Sequence, residues 1–157
     1  TSIEFPQGLL FIGLDSFNSC KNITEVTIPE SVLYIDNYAF SYSGIKKFTY
    51  LPSSCTNAFS ILSGVDGGGE GIEVIIGNKV QTIPNAMFSH SGGSSRTATI
   101  KSITFEKNSS CTKIEYAAFH ECPTAFDIYY FDSEEKWNSI EIEKLNEILH
   151  SSTLHFK

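Results

Sequence analysis

The side chains of this sequence best suited to catalysis or metal binding are four cysteines and four histidines. Cysteine thiolates are nucleophiles and zinc ligands, and histidine serves as a base or a metal ligand near neutral pH. No two cysteines have the C-x-x-C spacing that is typical of zinc sites. The histidines, at positions 90, 120, 150 and 155, are scattered along the chain. The sequence therefore predicts no metal site and no cofactor.

A cysteine and a histidine come close together in the segment His120-Glu121-Cys122. A neighbouring base can activate a thiol for nucleophilic attack. However, Cys122 and Cys20 each lie three residues after a phenylalanine, at a position that we predict to face the core as a small apolar side chain. Nothing near Cys122 in the sequence would lower the pKa of its thiol. We therefore predict no catalytic residue, and a protein that is not an enzyme.

Two glycine-rich stretches invite comparison with loops that bind phosphate or an oxyanion. The run from Gly64 to Gly71 lacks the Lys-Ser/Thr pair of a P-loop and the G-x-G-x-x-G spacing. It also contains Asp66 and Glu70, whose charges would repel phosphate. The second stretch, residues 90–93, has no accompanying G-x-S-x-G nucleophile motif. Both stretches are predicted to be flexible loops.

The overall charge argues against two classes of partner. Asp and Glu outnumber Lys and Arg by 18 to 11, which gives a net charge of −7. Nucleic-acid binders need clustered Lys and Arg side chains to neutralise phosphates, and anionic membrane surfaces attract the same side chains. No apolar run approaches the roughly 20 residues that a spanning helix needs. We therefore expect neither nucleic-acid binding nor membrane insertion.

A repeat runs through the chain, and each copy is anchored on a phenylalanine. Phe17 and Phe40 lie 23 residues apart in closely matching segments. The template begins with an apolar residue, two variable residues and Ile. Three variable residues, a small residue and the anchor Phe come next. After two variable residues there is a cysteine or small residue, and then a strand of the form V-x-I-P-x-S. Further copies are predicted at Phe59, Phe88 and Phe119, with looser spacings of 19, 29 and 31 residues.

The V-x-I segments explain why such a repeat would fold as stacked coils. The two apolar residues of each segment point to one face of a strand, and the residue between them points to the other. Each coil then covers the apolar face of its neighbour, and the phenylalanines form a column that one repeat alone could not bury. The composition agrees with such a core, since Phe occurs 12 times against one Met and one Trp.

This template resembles the BspA-like, or treponemal-type, leucine-rich repeats of bacterial surface proteins. The family's I-x-x-x-A-F core is matched by segments 35–40 and 114–119. The repeat is matched almost throughout by residues 17–29, and its alternative I-G-N ending resembles residues 75–80. The resemblance implies an α/β repeat solenoid: a leucine-rich-repeat right-handed superhelix with one parallel β-sheet. It also implies a small α/β C-terminal cap.

The domain organisation follows from the repeat. Residues 1–127 are predicted to hold a truncated first repeat and about five coils, with loops at residues 60–71 and 89–99. Residues 128–157 depart from the template and are predicted to form the cap. Within it, residues 129–131 continue the sheet, a helix begins with Asp132 as its cap, and residues 154–156 form a closing strand. The chain opens inside a repeat and shows no signal peptide, so we expect it to be a fragment of a longer protein.

The repeat also dictates the environment of the remaining cysteines. Cys55 and Cys111 each follow Ser-Ser, at predicted loop positions. A disulfide between them is conceivable, but a whole repeat separates the two residues, which is far for the Cα separation of about 5.5 Å that a disulfide needs.

Candidate binding residues are those that point outward from the strands. Solenoid curvature turns such columns into an extended binding face, although adjacent charges can equally be simple cross-strand pairs. The loops 60–71 and 89–99 occur at equivalent places in successive repeats and are expected to project side by side. They are either recognition elements or flexible loops without a binding role. The predicted face consists of Glu25, Thr27, Lys47, Thr49, Glu73, Ile75, Ser102 and Thr104.

The resemblance implies a non-catalytic adhesion scaffold on the bacterial cell surface or in secreted form. We expect a monomer that binds a host, matrix or other cell-surface protein. A carbohydrate-binding or spacer module of a larger surface enzyme is the alternative. Glycan binding would call for exposed aromatic platforms, for which Tyr34, Tyr42, Tyr50 and Tyr116 are the candidates.

Overall fold

The computed structural model describes residues 1–89 and 98–157. Short strands follow one another along the chain, and two short helices lie near its end. In chain order the elements are β1 (Ser2–Ile3), β2 (Phe11–Ile12), β3 (Glu25–Ile28), β4 (Tyr34–Ile35), β5 (Lys47–Tyr50), β6 (Ile72–Ile76), β7 (Thr82–Ile83), β8 (Ile100–Phe105), β9 (Lys113–Ile114), β10 (Asp127–Tyr130), α1 (Glu134–Asn138), β11 (Glu141–Ile142), α2 (Ile148–Ser151) and β12 (Thr153–Phe156).

The main sheet, called the front sheet here, has seven parallel strands in the order β1-β3-β5-β6-β8-β10-β12. Each strand comes from a successive coil, so the chain is a parallel β-solenoid of about six turns with little helix. Alternation within each strand sets the two faces, as in β3, where Val26 and Ile28 are buried and Glu25 and Thr27 are exposed. The predicted parallel solenoid is confirmed.

The opposite wall of each coil carries additional strands that the sequence analysis did not anticipate. β2 pairs with β4, and β7, β9 and β11 form a three-stranded parallel sheet; we call these the rear sheets. An isolated bridge between Ile35 and Ala58 continues the first of them. Each rear strand has only two residues, which is too short for the alternation that identifies a strand in a sequence. Its inward residue is the isoleucine of the repeat template.

The predicted phenylalanine column is present and lies between the front and rear walls of the coils. Phe17 stacks on Phe40 with ring centroids 5.1 Å apart, and Phe88 stacks on Phe119 at 5.0 Å. Phe40, Phe88 and Phe119 are fully buried or nearly so. Offset stacking of this kind adds to the free energy gained by burying the rings themselves.

The third coil corrects the predicted repeat register. The backbone N–H of Phe40 donates to the carbonyl of Ile61, just as that of Phe17 donates to Ala39, so the residue opposite Phe40 is Leu62. Leu62 is fully buried, whereas Phe59 is only half-buried. This coil is one residue shorter than its neighbours between Ala58 and the turn. The prediction that Phe59 anchors it was therefore wrong.

The turn before each phenylalanine contains a residue with left-handed backbone geometry. It follows the rear-wall isoleucine by three residues and has a positive φ of 53° at Asp15, 58° at Tyr38, 47° at Ala86, 57° at Ala117 and 63° at Leu145. L-residues other than Gly, Asn and Asp adopt this conformation at a cost of about 1–2 kcal/mol. Its recurrence shows that the packing of each coil on the next dictates the turn.

The last segment completes a coil instead of only covering one. β11 extends a rear sheet and β12 extends the front sheet. Between them α1 begins after Ser133, whose side chain accepts from the backbone N–H of Lys136, so Ser133 and not Asp132 caps the helix. Asp132 instead pairs with the Lys136 side chain. The predicted cap boundary at residue 128 stays a prediction.

Buried Asn146 ties this last coil to the one before it. Its side-chain amide donates to the carbonyls of Glu115 and Glu143, at 2.9 and 2.8 Å, and its Oδ1 accepts from the backbone N–H of Phe119 at 3.0 Å. A side chain thus satisfies backbone groups that a regular coil would have paired with backbone.

The corrected register predicts different stabilities for two phenylalanine variants. Phe40→Ala should lower the free energy of unfolding by about 3–5 kcal/mol because it removes a ring from the centre of the column. Phe59→Ala, the matched control, should cost clearly less because its ring is half-buried and off the column. Urea unfolding followed by far-UV circular dichroism measures both. Equal losses would contradict the register.

The turn geometry predicts opposite behaviour for two adjacent alanines. Ala117 has a positive φ and Ala118 does not, while both are buried. Ala118→Gly should destabilise by about 1 kcal/mol through lost packing and a more flexible unfolded chain. In Ala117→Gly the relief of the left-handed strain offsets those losses, so its melting temperature should lie near that of the parent. A melting point as low as that of Ala118→Gly would refute the strain.

Candidate functional site: the outward face of the front sheet

The eight predicted face residues form two adjacent columns on the front sheet. Strand register places Glu25, Lys47, Glu73 and Ser102 side by side in one column, and Thr27, Thr49, Ile75 and Thr104 in the other. Neighbouring strands lie about 4.8 Å apart, so side chains in a column are evenly spaced. All eight are exposed or half-buried. Their placement agrees with the sequence analysis, and their role in binding stays a prediction.

Both columns continue into the last segment, where residues 129–131 were expected to continue the sheet. Ser102 pairs with Asp127, and Thr104 pairs with Tyr129 and through it with His155. Nε2 of His155 lies 2.8 Å from Oδ1 of Asp127, and its ring stacks on Tyr129 with centroids 4.8 Å apart. The signal was present in the alternation of Asp127 to Tyr130, which repeats that of β3.

Among the described residues, the cross-strand ion pairs expected between Glu25, Lys47 and Glu73 do not form. Glu73 pairs with Lys101, at 3.3 Å, instead of with Lys47 beside it in the column. Among residues 1–89 and 98–157, Glu25 and Lys47 make no ion pair. The Glu73–Lys101 pair is half-exposed on both sides, so it contributes little to stability. The charges of the first column are therefore largely free to meet a partner.

A depression lies in the face between the fourth and sixth strands of the front sheet. Gly77 follows β6, and a Cβ built there would lie 2.8 Å from the Leu51 side chain, so no larger residue fits without movement. The depression of about 480 Å³ has apolar walls from Ile75 and Phe131 and a polar rim; its lining residues are Ile75, Asn78, Thr104, Glu106, Lys107 and Phe131. Gly77, in the I-G-N ending of the repeat, is itself packed against Leu51 and does not line the depression.

A second depression, of about 550 Å³, lies at the β1 end of the face. Its charged lining residues are all acidic, namely Glu4, Glu25 and Glu30. Glu30 is paired with Lys79 at 2.9 Å. The face therefore changes in character along the sheet, from acidic at its first strands to mixed and more apolar near Phe131.

The glycine-rich loop folds around its own acid. Oδ1 of Asp66 accepts from the backbone N–H of Gly68, and the Asp66 carbonyl accepts from Gly69 and Gly71. The carboxylate thus occupies the position that a bound anion would need, which supports the rejection of a phosphate site there. The run predicted as a flexible loop consists largely of hydrogen-bonded turns.

The two inserted loops meet at their bases. The backbone N–H of Thr99 donates to Val65, and that of Ile72 donates to Thr99. This contact agrees with the expectation that the loops project from the same edge. Residues 90–97, which hold most of the second loop and the His90–Gly93 segment, lie outside the described residues.

The cysteines are free thiols, and their burial differs from the prediction at two positions. Cys122 is buried as predicted, and desolvation raises the pKa of its thiol to about 12. Cys20 is only half-buried, and Cys111, predicted in a loop, is buried with a pKa raised to about 11. A thiol with such a pKa is protonated at neutral pH, so Cys122 beside His120 lacks the thiolate that a nucleophile requires.

Cys55 and Cys111 lie outside the helices and strands, as predicted, but their side chains belong to an inward column of the coils. Each precedes its rear-wall residue by three positions, as Val32 precedes Ile35 and Val80 precedes Ile83. Each Sγ approaches the carbonyl two residues on, at 3.1 Å for Cys55 and 3.6 Å for Cys111. Val80 lies between them in the column, so they are about 9.6 Å apart, which is too far for a disulfide.

Within residues 1–89 and 98–157, no group of three or more His, Cys, Asp or Glu side chains is arranged to hold a metal ion. In the same part of the chain, no helix has the length and apolar character needed to cross a membrane.

Parallel coils, an isoleucine on the rear wall and an aromatic column between the walls define a leucine-rich-repeat type of solenoid. The family model of the BspA-type leucine-rich repeat region matches with six copies, over residues 1–125 and 71–155. The chain belongs to this family, as its repeat template predicted, and it is a repeat scaffold. No curated protein and no solved structure matches it.

Thiol burial predicts the order in which the cysteines react. In the folded protein at pH 8, Ellman's reagent should modify Cys20 and Cys55 first, and Cys111 and Cys122 only after unfolding, because buried thiols remain protonated and inaccessible. Cys55→Ser should remove one fast-reacting thiol per chain. Cys122→Ser should leave the fast-reacting number unchanged, and loss of a fast thiol in this variant would contradict the assignment.

Proposed function

We propose that this chain is a non-catalytic scaffold that binds a protein through the outward face of the front sheet. The two columns of accessible side chains on adjacent parallel strands are the observation that carries the proposal. Membership of a repeat-scaffold family supports it. The ligand we propose is a host, matrix or other cell-surface protein. The setting is the bacterial cell surface or the secreted fraction, and the scaffold acts as a monomer.

The composition of the face favours a protein ligand. Thr27, Thr49 and Thr104 are β-branched and lose little rotamer freedom on binding. Lys47 and Glu25 form no ion pair within residues 1–89 and 98–157, so binding would not first have to break one there. The depression beside Ile75 and Phe131 has apolar walls and a polar rim, which is the composition of the core and rim of protein interfaces.

The tyrosines proposed as sugar platforms give less support to the glycan alternative. Tyr50 is fully buried, and Tyr42 is half-buried. Tyr34 and Tyr116 are exposed, but Tyr34 belongs to a rear strand and Tyr116 follows one, so neither lies on the front sheet. The front face does present Tyr129, with His155 against its ring and the Lys157 ammonium 5.2 Å from its centroid. Carbohydrate binding or a spacer role is therefore an outcome to be tested, not the preferred function.

A binding screen with matched arginine variants tests this proposal. The 157-residue chain is applied to arrays of matrix proteins and of glycans. We expect a protein hit that weakens at least tenfold in Thr49→Arg and Thr104→Arg, because each bulky cation blocks the centre of the face. Thr112→Arg, at an exposed position beside rear strand β9, is the control and should bind like the parent.

Three results would count against it. If all three arginine variants bind the protein ligand like the parent, the binding site does not lie on the front face. Glycan binding without protein binding would replace the proposal by the carbohydrate alternative. Silence on both arrays would favour a spacer role.

A further inference from the structure

A group of exposed apolar side chains lies on the rear wall of the first two coils. Phe11 and Tyr34 point outward from β2 and β4, with 54 % and 37 % of their surfaces exposed. Leu10, Leu14 and Leu33 beside them are 55 %, 59 % and 45 % exposed. We call these five residues the rear apolar patch. They make up five of the seven large apolar side chains that are exposed in the described part of the chain.

Backbone contacts make the patch continuous across the two coils. The N–H groups of Leu33 and Tyr34 both approach the carbonyl of Leu10, at 2.9 and 3.3 Å. The rings of Phe11 and Tyr34 stack with centroids 5.4 Å apart and planes inclined by 16°. Stacking covers one face of each ring and leaves the rest in solvent. An exposed apolar cluster of this kind marks an interaction site more often than isolated exposed residues do.

The later coils show that the fold does not require apolar residues at these positions. The positions of Leu10 and Leu33 are taken by Thr56, Gln81 and Thr112 in the next three coils. Those of Phe11 and Tyr34 are taken by Asn57, Thr82, Lys113 and Glu141. The inward isoleucines beside them persist, since Ile12, Ile35, Ile83 and Ile114 are all buried. The outward apolar residues of coils one and two are therefore not required for the stacking of coils.

The two chain segments that hold the patch carry only acidic charge, and the next lysines along the chain, Lys21 and Lys46, follow at their ends. Segments 9–20 and 32–45, which hold all five patch residues, contain Asp15 and Asp36 and no Lys, Arg or His. Oδ1 of Asp15 accepts from the Asn18 side chain, and Oδ1 of Asp36 accepts from the backbone N–H of Asn37. Neither carboxylate is neutralised by a cation in the described part of the chain.

We propose that the rear apolar patch is a second interaction surface, and that it binds a basic amphipathic segment of a partner protein. Apolar side chains of that segment cover Phe11, Tyr34 and the leucines, and its Lys or Arg residues meet Asp15 and Asp36. A second copy of this chain would bring two acidic rims together at a net charge of −7 each, and an anionic membrane would be repelled likewise. The charge pattern thus selects a cationic protein segment.

The test uses a synthetic helical peptide with one leucine face and one lysine face, labelled for fluorescence anisotropy with the 157-residue chain. The control peptide carries glutamate in place of lysine. The main variant is Phe11→Thr/Tyr34→Asn, because Thr and Asn already occupy this column in later coils, and its melting curve confirms folding. Tyr116→Thr, which removes an exposed aromatic residue outside the patch, is the matched control.

We expect the parent to bind the lysine peptide, and to bind the glutamate peptide at least tenfold more weakly. Phe11→Thr/Tyr34→Asn should weaken binding of the lysine peptide at least tenfold. Tyr116→Thr should bind the lysine peptide like the parent. Asp15→Asn/Asp36→Asn should also weaken binding and reduce its dependence on salt.

The proposal is overturned if the charge-neutral variant Phe11→Thr/Tyr34→Asn binds the lysine peptide like the parent, since attraction to the acidic protein as a whole would then explain binding. It is also overturned if the parent dimerises in light scattering and this variant does not, or if vesicles of phosphatidylglycerol bind the parent but not the variant. The front-face variants Thr49→Arg and Thr104→Arg should not affect the peptide, so the two surfaces can fail independently.

Discussion

Burial of one coil's apolar side chains against the next is the interaction on which the rest of this structure depends. A single coil has two short strands and a few turns, and alone it could not keep Phe40 or Ile35 out of water. Stacked coils bury both completely and align their strands into parallel sheets at the same time. Stability is therefore a nearest-neighbour property, and the surface residues are positioned only as precisely as the coils beneath them are packed.

The turns show how strongly that packing constrains the backbone. The same turn position takes a left-handed conformation at Asp15, Tyr38, Ala86 and Ala117, although these residues have little chemistry in common. Contacts between coils thus impose the geometry, and the intrinsic preference of the residue does not. The third coil is the exception in length: it omits one residue before its turn and places Leu62 in the phenylalanine column. A solenoid tolerates such a change because only the two adjacent coils have to accommodate it.

The rigid stack gives the chain two surfaces of different character. The front sheet carries threonines and charged side chains at regular spacing, with a depression lined by Ile75 and Phe131. The rear wall of the first two coils carries Phe11, Tyr34 and three leucines in an acidic setting. Because the walls lie on opposite sides of the coil, one ligand on each could be held at once without competition. The coil stack keeps the two surfaces apart without a conformational change.

The sequence by itself determined the class of fold, the family and the two columns of the front face. These depend on local alternation and on a template that recurs, both of which are visible in one dimension. Only the tertiary structure decided the register of the third coil, the rear sheets and the burial of Cys111. Each of these depends on which residue of one coil lies over which residue of the next. That alignment is set by packing and by hydrogen bonds between coils, and loops of unequal length hide it from the spacing along the chain.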